Sequence, residues 1–141
     1  MNRSTLPSPT LVDLRNCPPE GWDDPACGTV RWRTLISAPL TPTEGLVCGV
    51  AEMRAGDHFA DHRHVEPEVY FGIEGEGDVV IDGVAHRLAP GVALFIPSMA
   101  EHGVPCVTAP LRWFYTFARD GFDQIAYQFT HEDPAMGQRQ A

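Results

Sequence analysis

Basic residues are scarce in this chain: ten Lys plus Arg stand against nineteen Asp plus Glu, a net charge of −9. Binding a phosphate backbone needs a basic footprint, so the deficit excludes nucleic acid as a partner. The same deficit argues against docking on an anionic membrane. Long apolar runs are missing too. None approaches the roughly 20 residues of a membrane span, and the polar start MNRSTLPSPT lacks the apolar core of a signal peptide. The cysteines Cys17, Cys27, Cys48 and Cys106 have no CxxC spacing. They are expected to be reduced thiols in a cytoplasmic protein rather than a disulfide frame. Cys106, four residues after His102, could face the same site as that histidine, but a buried and inert thiol is the expected role.

What is present suits one domain. The length of 141 residues and 43% hydrophobic content are enough for a core. Residues 1–28 carry Pro7, Pro9, Pro18, Pro19 and Pro25, so an irregular N-terminal arm is expected, with a short helix around Leu11–Asn16. From 29 to 129, β-branched and apolar runs recur: VRWRTLIS, LVCGVAEM, EVYFGIEG, DVVIDG, VALFIP, VPCVT and LRWFYTFA. Gly-rich turn signals separate them, and Asp82-Gly83 is a two-residue hairpin signal. Gly75 and Gly91 lie where one strand must end and the next begin, which predicts tight turns with positive φ. Residues 130–141 read as a polar, frayed tail. The pattern is all-β: an antiparallel sandwich or barrel with almost no helix.

The chemistry concentrates between Gly56 and Gly75, in GDHFADHRHVEPEVYFGIEG. His62 and His64 alternate at a spacing of two, so in an extended strand both imidazoles share a face. Glu68 and Tyr70 follow with the same parity after the break at Pro67, and His102 can add a donor from a later strand. Two neutral imidazoles and a carboxylate hold a divalent first-row metal while leaving positions open. Fe, Ni, Mn, Co and Zn all suit the set. His58 shares the parity of His62 and is expected in the pocket or at its mouth.

These residues carry a resemblance. Gly56, His62, His64, Glu68 and Gly75 have the spacing G-x5-H-x-H-x3-E-x6-G, the first signature of the cupin superfamily. Gly91, Pro97 and His102 match its second, G-x5-P-x4-H, with Met99 where glycine is usual and Cys106 where asparagine is usual. The resemblance implies a jelly-roll β-barrel with one metal bound by His62, His64, Glu68 and His102, and a homodimer formed through an edge strand and a swapped N-terminal segment. Over residues 29–129 the chain also resembles the small cupin lyases that cleave dimethylsulfoniopropionate. That resemblance implies Tyr70 as the catalytic base, Tyr127 as a second active-site tyrosine, and a small carboxylate as substrate.

The residues suit such chemistry. Eliminating dimethyl sulfide from a 3-sulfonio acid requires loss of a weakly acidic proton α to a carboxylate. A divalent metal on that carboxylate stabilises the developing charge. A nearby dication also favours phenolate, which lowers a tyrosine pKa from its usual value near 10. The sulfonium is a cation without hydrogen-bond donors, suited by aromatic faces. Trp32, Phe59, Trp113, Phe114, Tyr115, Phe117 and Tyr127 offer them, although aromatics on barrel strands more often serve as core. The residues leave three other readings open: an Fe(II) dioxygenase, a metal-dependent isomerase or cyclase, and a non-catalytic ligand binder.

Overall fold

Glycine and left-handed turns divide the chain into short strands. The computed structural model describes residues 7–133. Gly56, Gly75, Gly83 and Gly91 have φ of 92°, 75°, 80° and 83°, and each ends one run of extended chain. At Gly75 a Cβ would run into the carbonyl oxygen of Pro110, so the turn needs glycine for space as well as for φ. Asp82 joins Gly83 at positive φ, and together they close the hairpin in which Ile81 pairs with Val84.

Eleven strands result among the described residues: β1 (Glu20–Gly21), β2 (Arg31–Ile36), β3 (Val47–Met53), β4 (Phe59–Arg63), β5 (Glu68–Glu74), β6 (Gly77–Ile81), β7 (Val84–Leu88), β8 (Ala93–Ile96), β9 (His102–Val104), β10 (Leu111–Phe117) and β11 (Gln128–Phe129). They form two antiparallel sheets, β1-β2-β3-β10-β5-β8 and β11-β4-β9-β6-β7. This is the all-β architecture expected.

Alternation decides which side chains meet between the sheets. Leu111, Trp113, Tyr115 and Phe117 of β10 are buried, and the residues between them are less so. Tyr115 lies opposite Tyr70, and Phe117 opposite Glu68. On the other side of β10, Tyr115 lies opposite Gly49, where a Cβ would sit only 2.6 Å from the ring carbon Cζ. Glycine at that position makes room for a large ring. Burying each such aromatic or aliphatic side chain contributes about 1.5–3 kcal/mol, which holds the sheets face to face.

Several sequence expectations shift in detail. The segment VPCVT is not a strand, because β9 begins earlier, at His102, and Pro105 follows its end. The helix expected around Leu11–Asn16 is a single 3-10 turn over Leu14–Asn16, capped by the Asp13 carboxylate and followed by Pro18. The leader also contains β1, whose Glu20 pairs with Trp32. At the other end, Thr130–Glu132 form a 3-10 turn, and the buried Thr130 hydroxyl donates to Glu101 at 2.7 Å. Residues 134–141 of the expected tail lie outside the described residues.

Candidate metal centre

His62 and His102 are direct cross-strand partners on β4 and β9. Cross-strand neighbours bring their Cβ atoms within about 5 Å, and here the two ring centroids are 4.2 Å apart. His64 follows the end of β4, and its carbonyl accepts from the backbone N–H of Met99 at 2.9 Å. That bond ties the loop after the HxH pair to the turn before His102. Met99 itself has φ 64°, so methionine adopts the left-handed conformation where the family signature has glycine.

Each imidazole is fixed by its Nδ1. His62 Nδ1 lies 2.7 Å from the Ala60 carbonyl, His64 Nδ1 2.8 Å from that of Glu66, and His102 Nδ1 2.9 Å from that of Ala100. A carbonyl can only accept, so each Nδ1 carries a proton and each Nε2 is the atom turned towards the shared site. The rings are almost fully buried, at 0%, 1% and 1% exposure. One donor atom from each of the three lies within 4.8 Å of the others. Buried polar atoms are costly when unmatched, and His62 Nε2 and His64 Nε2 have no hydrogen-bond partner among the described residues. Backbone-held rings and converging, orphaned Nε2 atoms are what a divalent transition metal needs from its protein. The residues therefore fit the metal expected from the sequence.

Glu68 begins β5 and faces the same point. Its Oε1 lies 3.1 Å from His102 Nε2 and 3.3 Å from His64 Nε2. Burial drives His62 well below the usual imidazole range, and neighbouring His102 adds to it. Burial pulls His64 the same way, but the Glu68 carboxylate outweighs it and leaves that imidazole raised. A second donor group, Asp24, Cys27, His131 and Glu132, lies at the surface with three of its four members exposed. Its thiol already donates to Glu132 Oε1 at 3.6 Å, and burial followed by the charges of Glu132 and Asp24 pushes Cys27 up to about 11. That group is satisfied as it stands.

A narrow chamber opens beside Glu68, lined by Trp32, Phe59, Tyr70, Trp113, Tyr115, Phe117 and Tyr127, among others. The Tyr127 ring lies 5.1 Å from that of His62 and 5.2 Å from that of His64. The Tyr70 ring lies 6.2 Å from that of His102. Burial, then the Glu68 carboxylate, pushes both phenols well above their ordinary range. Of the aromatics expected as candidate faces, Phe114 is not in the chamber. Its parity on β10 sets it on the opposite face from Trp113 and Tyr115, across from exposed Phe71. His58 and Cys106 are not in the chamber either. They line a shallow cleft on the outside of the second sheet, and Cys106 is exposed rather than buried. Pro105 has ended β9 by then, so strand parity no longer directs Cys106 inward. Trp22 and Phe122, which the sequence reading passed over, do line the chamber. The only signal for Trp22 was a large aromatic in a Pro-rich arm, which its charged neighbours concealed.

A two-sheet barrel enclosing three pinned imidazoles beside a buried carboxylate and an aromatic chamber is a β-barrel compatible with a single metal ion. A cupin-domain family model matches residues 49–117. Dimethylsulfoniopropionate lyase DddW from Ruegeria pomeroyi is 46% identical over 122 residues, covering 86% of this chain and 80% of that protein. The chain belongs to the cupin superfamily, in the family of that lyase. A 5-aminosalicylate 1,2-dioxygenase from a Comamonas species is 37% identical over 68 residues, 48% of this chain and 18% of that protein. Among solved structures, the polyketide cyclase RemF from Streptomyces resistomycificus superposes with a TM-score of 0.73 at 17% identity, over 92% of this chain and 97% of its own. DMSP lyase DddQ from Ruegeria pomeroyi superposes at 0.62 with 24% identity, over 86% and 60%. These two share the fold.

Proposed function

We propose that this protein is a metal-dependent lyase that splits dimethylsulfoniopropionate into acrylate and dimethyl sulfide. The observation that carries the reading is the convergence of three Nδ1-pinned imidazoles with Glu68 at the edge of a chamber that also holds Tyr70 and Tyr127. Identity of 46% to a lyase of that specificity supports the same substrate. His62, His64 and His102 would hold the metal through Nε2, with Glu68 as the fourth ligand. A bound divalent cation supplies Lewis-acid neutralisation of the substrate carboxylate and a field that favours a nearby phenolate.

The remaining roles belong to the chain. Tyr70 takes the α-proton on its phenolate oxygen, the electron pair left behind forms the Cα=Cβ bond, and the Cβ–S bond breaks with its pair on sulfur. The products are acrylate and neutral dimethyl sulfide, and the proton remains on Tyr70 until it passes to solvent. Tyr127, between the imidazoles and the aromatic wall, orients the substrate. Burial raises both phenols, and a cation held by the imidazoles would favour the Tyr70 phenolate. The apolar lining excludes water and strengthens every charge interaction at the reacting carbon.

A homodimer is part of the proposal. Strand β8 is the edge of the larger sheet, and Phe95 on it and Phe71 on its neighbour β5 are 64% and 44% exposed. Apolar rings on an open edge support pairing with a second copy. The functional test compares Tyr70→Phe with the parent after metal loading. The variant is expected to keep its metal and its fold, with turnover falling on the order of 10²- to 10⁴-fold and KM nearly unchanged. Turnover close to that of the parent would remove Tyr70 from the base role.

A further inference from the structure

The aromatic side of the chamber has a component that the sequence did not single out. Trp22 comes from the N-terminal leader and is held by β1, whose Gly21 pairs with Arg31. Its ring lies 5.0 Å from Trp32, 6.1 Å from Phe59 and 4.9 Å from Tyr127, but has no ring contact with the three imidazoles among the described residues. Tyr127 touches both groups. The chamber thus has a donor side at Glu68 and the imidazoles, and an aromatic side, one ring further on, at Trp22. Trp22 is half-buried and also borders an outer cleft with Asp23, Pro25 and Arg31, so it is the layer between chamber and solvent.

Charge distinguishes the two sides. Among the described residues, Glu68 is the only charged side chain lining the chamber, and no Arg lines it. A three-carbon acid held by its carboxylate at the donor side carries its γ-position roughly 4 Å further along extended bonds. That places an onium group towards the ring faces and away from the cation at the ligands. Resting on the lyase reading above, we propose that Trp22 is a specificity-determining residue that recognises the positive charge of the substrate's onium group, with Trp32 and Phe59 completing the wall. Indole is the strongest cation–π partner among the side chains, and the interaction gains when the cation leaves water.

The test uses two inert acids of equal shape, 3-(trimethylammonio)propanoate and its uncharged isostere 4,4-dimethylpentanoate. Both present the same carboxylate to the donor side, so the difference between them isolates the onium charge. Titration calorimetry on metal-loaded protein is expected to show the charged acid binding about tenfold more tightly in the parent. Trp22→Leu should reduce that ratio to about threefold or less, while Trp22→Phe keeps most of it. With dimethylsulfoniopropionate, Trp22→Leu should raise KM by a similar factor with little change in kcat, because the donor side is untouched. Equal affinity for the two acids in the parent, or a ratio unaltered by Trp22→Leu, would reduce Trp22 to a packing residue. The calorimetry needs no turnover, so its failure is separable from failure to release dimethyl sulfide.

Discussion

Gly103 sits directly after His102 on β9, with its Cα hydrogens facing β4. A Cβ built there would lie 2.9 Å from the Phe59 carbonyl oxygen and 3.0 Å from the Asp61 amide nitrogen, and would overlap the Asp61 carboxylate. The carboxylate can swing aside, but the backbone of β4 cannot. Restoring ordinary contact needs β4 and β9 to part by about 0.5 Å, and overpacking of this kind costs typically 1–3 kcal/mol. For a domain of this size that is a Tm decrease of roughly 3–9 °C. The same displacement separates His62 from His102, whereas metal–ligand distances tolerate only about ±0.2 Å. Gly103→Ala is therefore expected to weaken metal binding by tenfold or more. Gly83→Ala is the control, since its φ of 80° strains an alanine but a Cβ there meets nothing within 4 Å. It should lose stability through backbone strain alone and keep its metal. Calorimetric Tm measured alongside chelator competition for the metal reads both effects. A Gly103→Ala protein with the parent's metal affinity would refute the view that close approach of β4 and β9 sets the donor geometry.

Two further outcomes concern stability. At Met99, φ 64° strains a side chain that is 38% exposed. Glycine relieves about 1 kcal/mol of strain and loses a similar amount to unfolded-state entropy, whereas β-branched valine is strained further. Thermal unfolding should rank Met99→Gly at or near the parent and Met99→Val clearly below both; a valine variant as stable as the glycine one would contradict the left-handed turn. Cys27 is raised to about 11 from an ordinary 9.0, so its contribution is complete below pH 9 and lost as pH rises towards 11. Two pKa units set an upper bound near 2.7 kcal/mol. Urea unfolding of the parent should weaken more steeply over pH 9–11 than that of Cys27→Ala, and parallel curves would show that the thiol is not held protonated by the fold.

The strand pattern was legible because turns in this chain are written in residues with few alternatives: Gly75, Gly83 and Gly91 all occupy left-handed turns. The grouping of the imidazoles on one face was legible for a related reason. The spacing of two between His62 and His64 survives in the structure as a shared inward face, even though His64 lies just past the end of β4. Parity failed where extension stopped. Cys106 lies after the proline that ends β9, and the alternation of β10 turns Phe114 away from the chamber. Trp22 was hidden for a different reason. Its place in the chamber depends on the pairing of β1 with β2, a long-range contact that no local pattern encodes.

Dimethyl sulfide release by the metal-loaded protein under strict exclusion of oxygen tests the lyase reading most directly. Dimethyl sulfide and acrylate are expected in equal amounts with no oxygen requirement, and both products should be lost in His102→Ala along with the bound metal. Absence of dimethyl sulfide from the fully metallated parent, or product formation that stops when oxygen is removed, would contradict it.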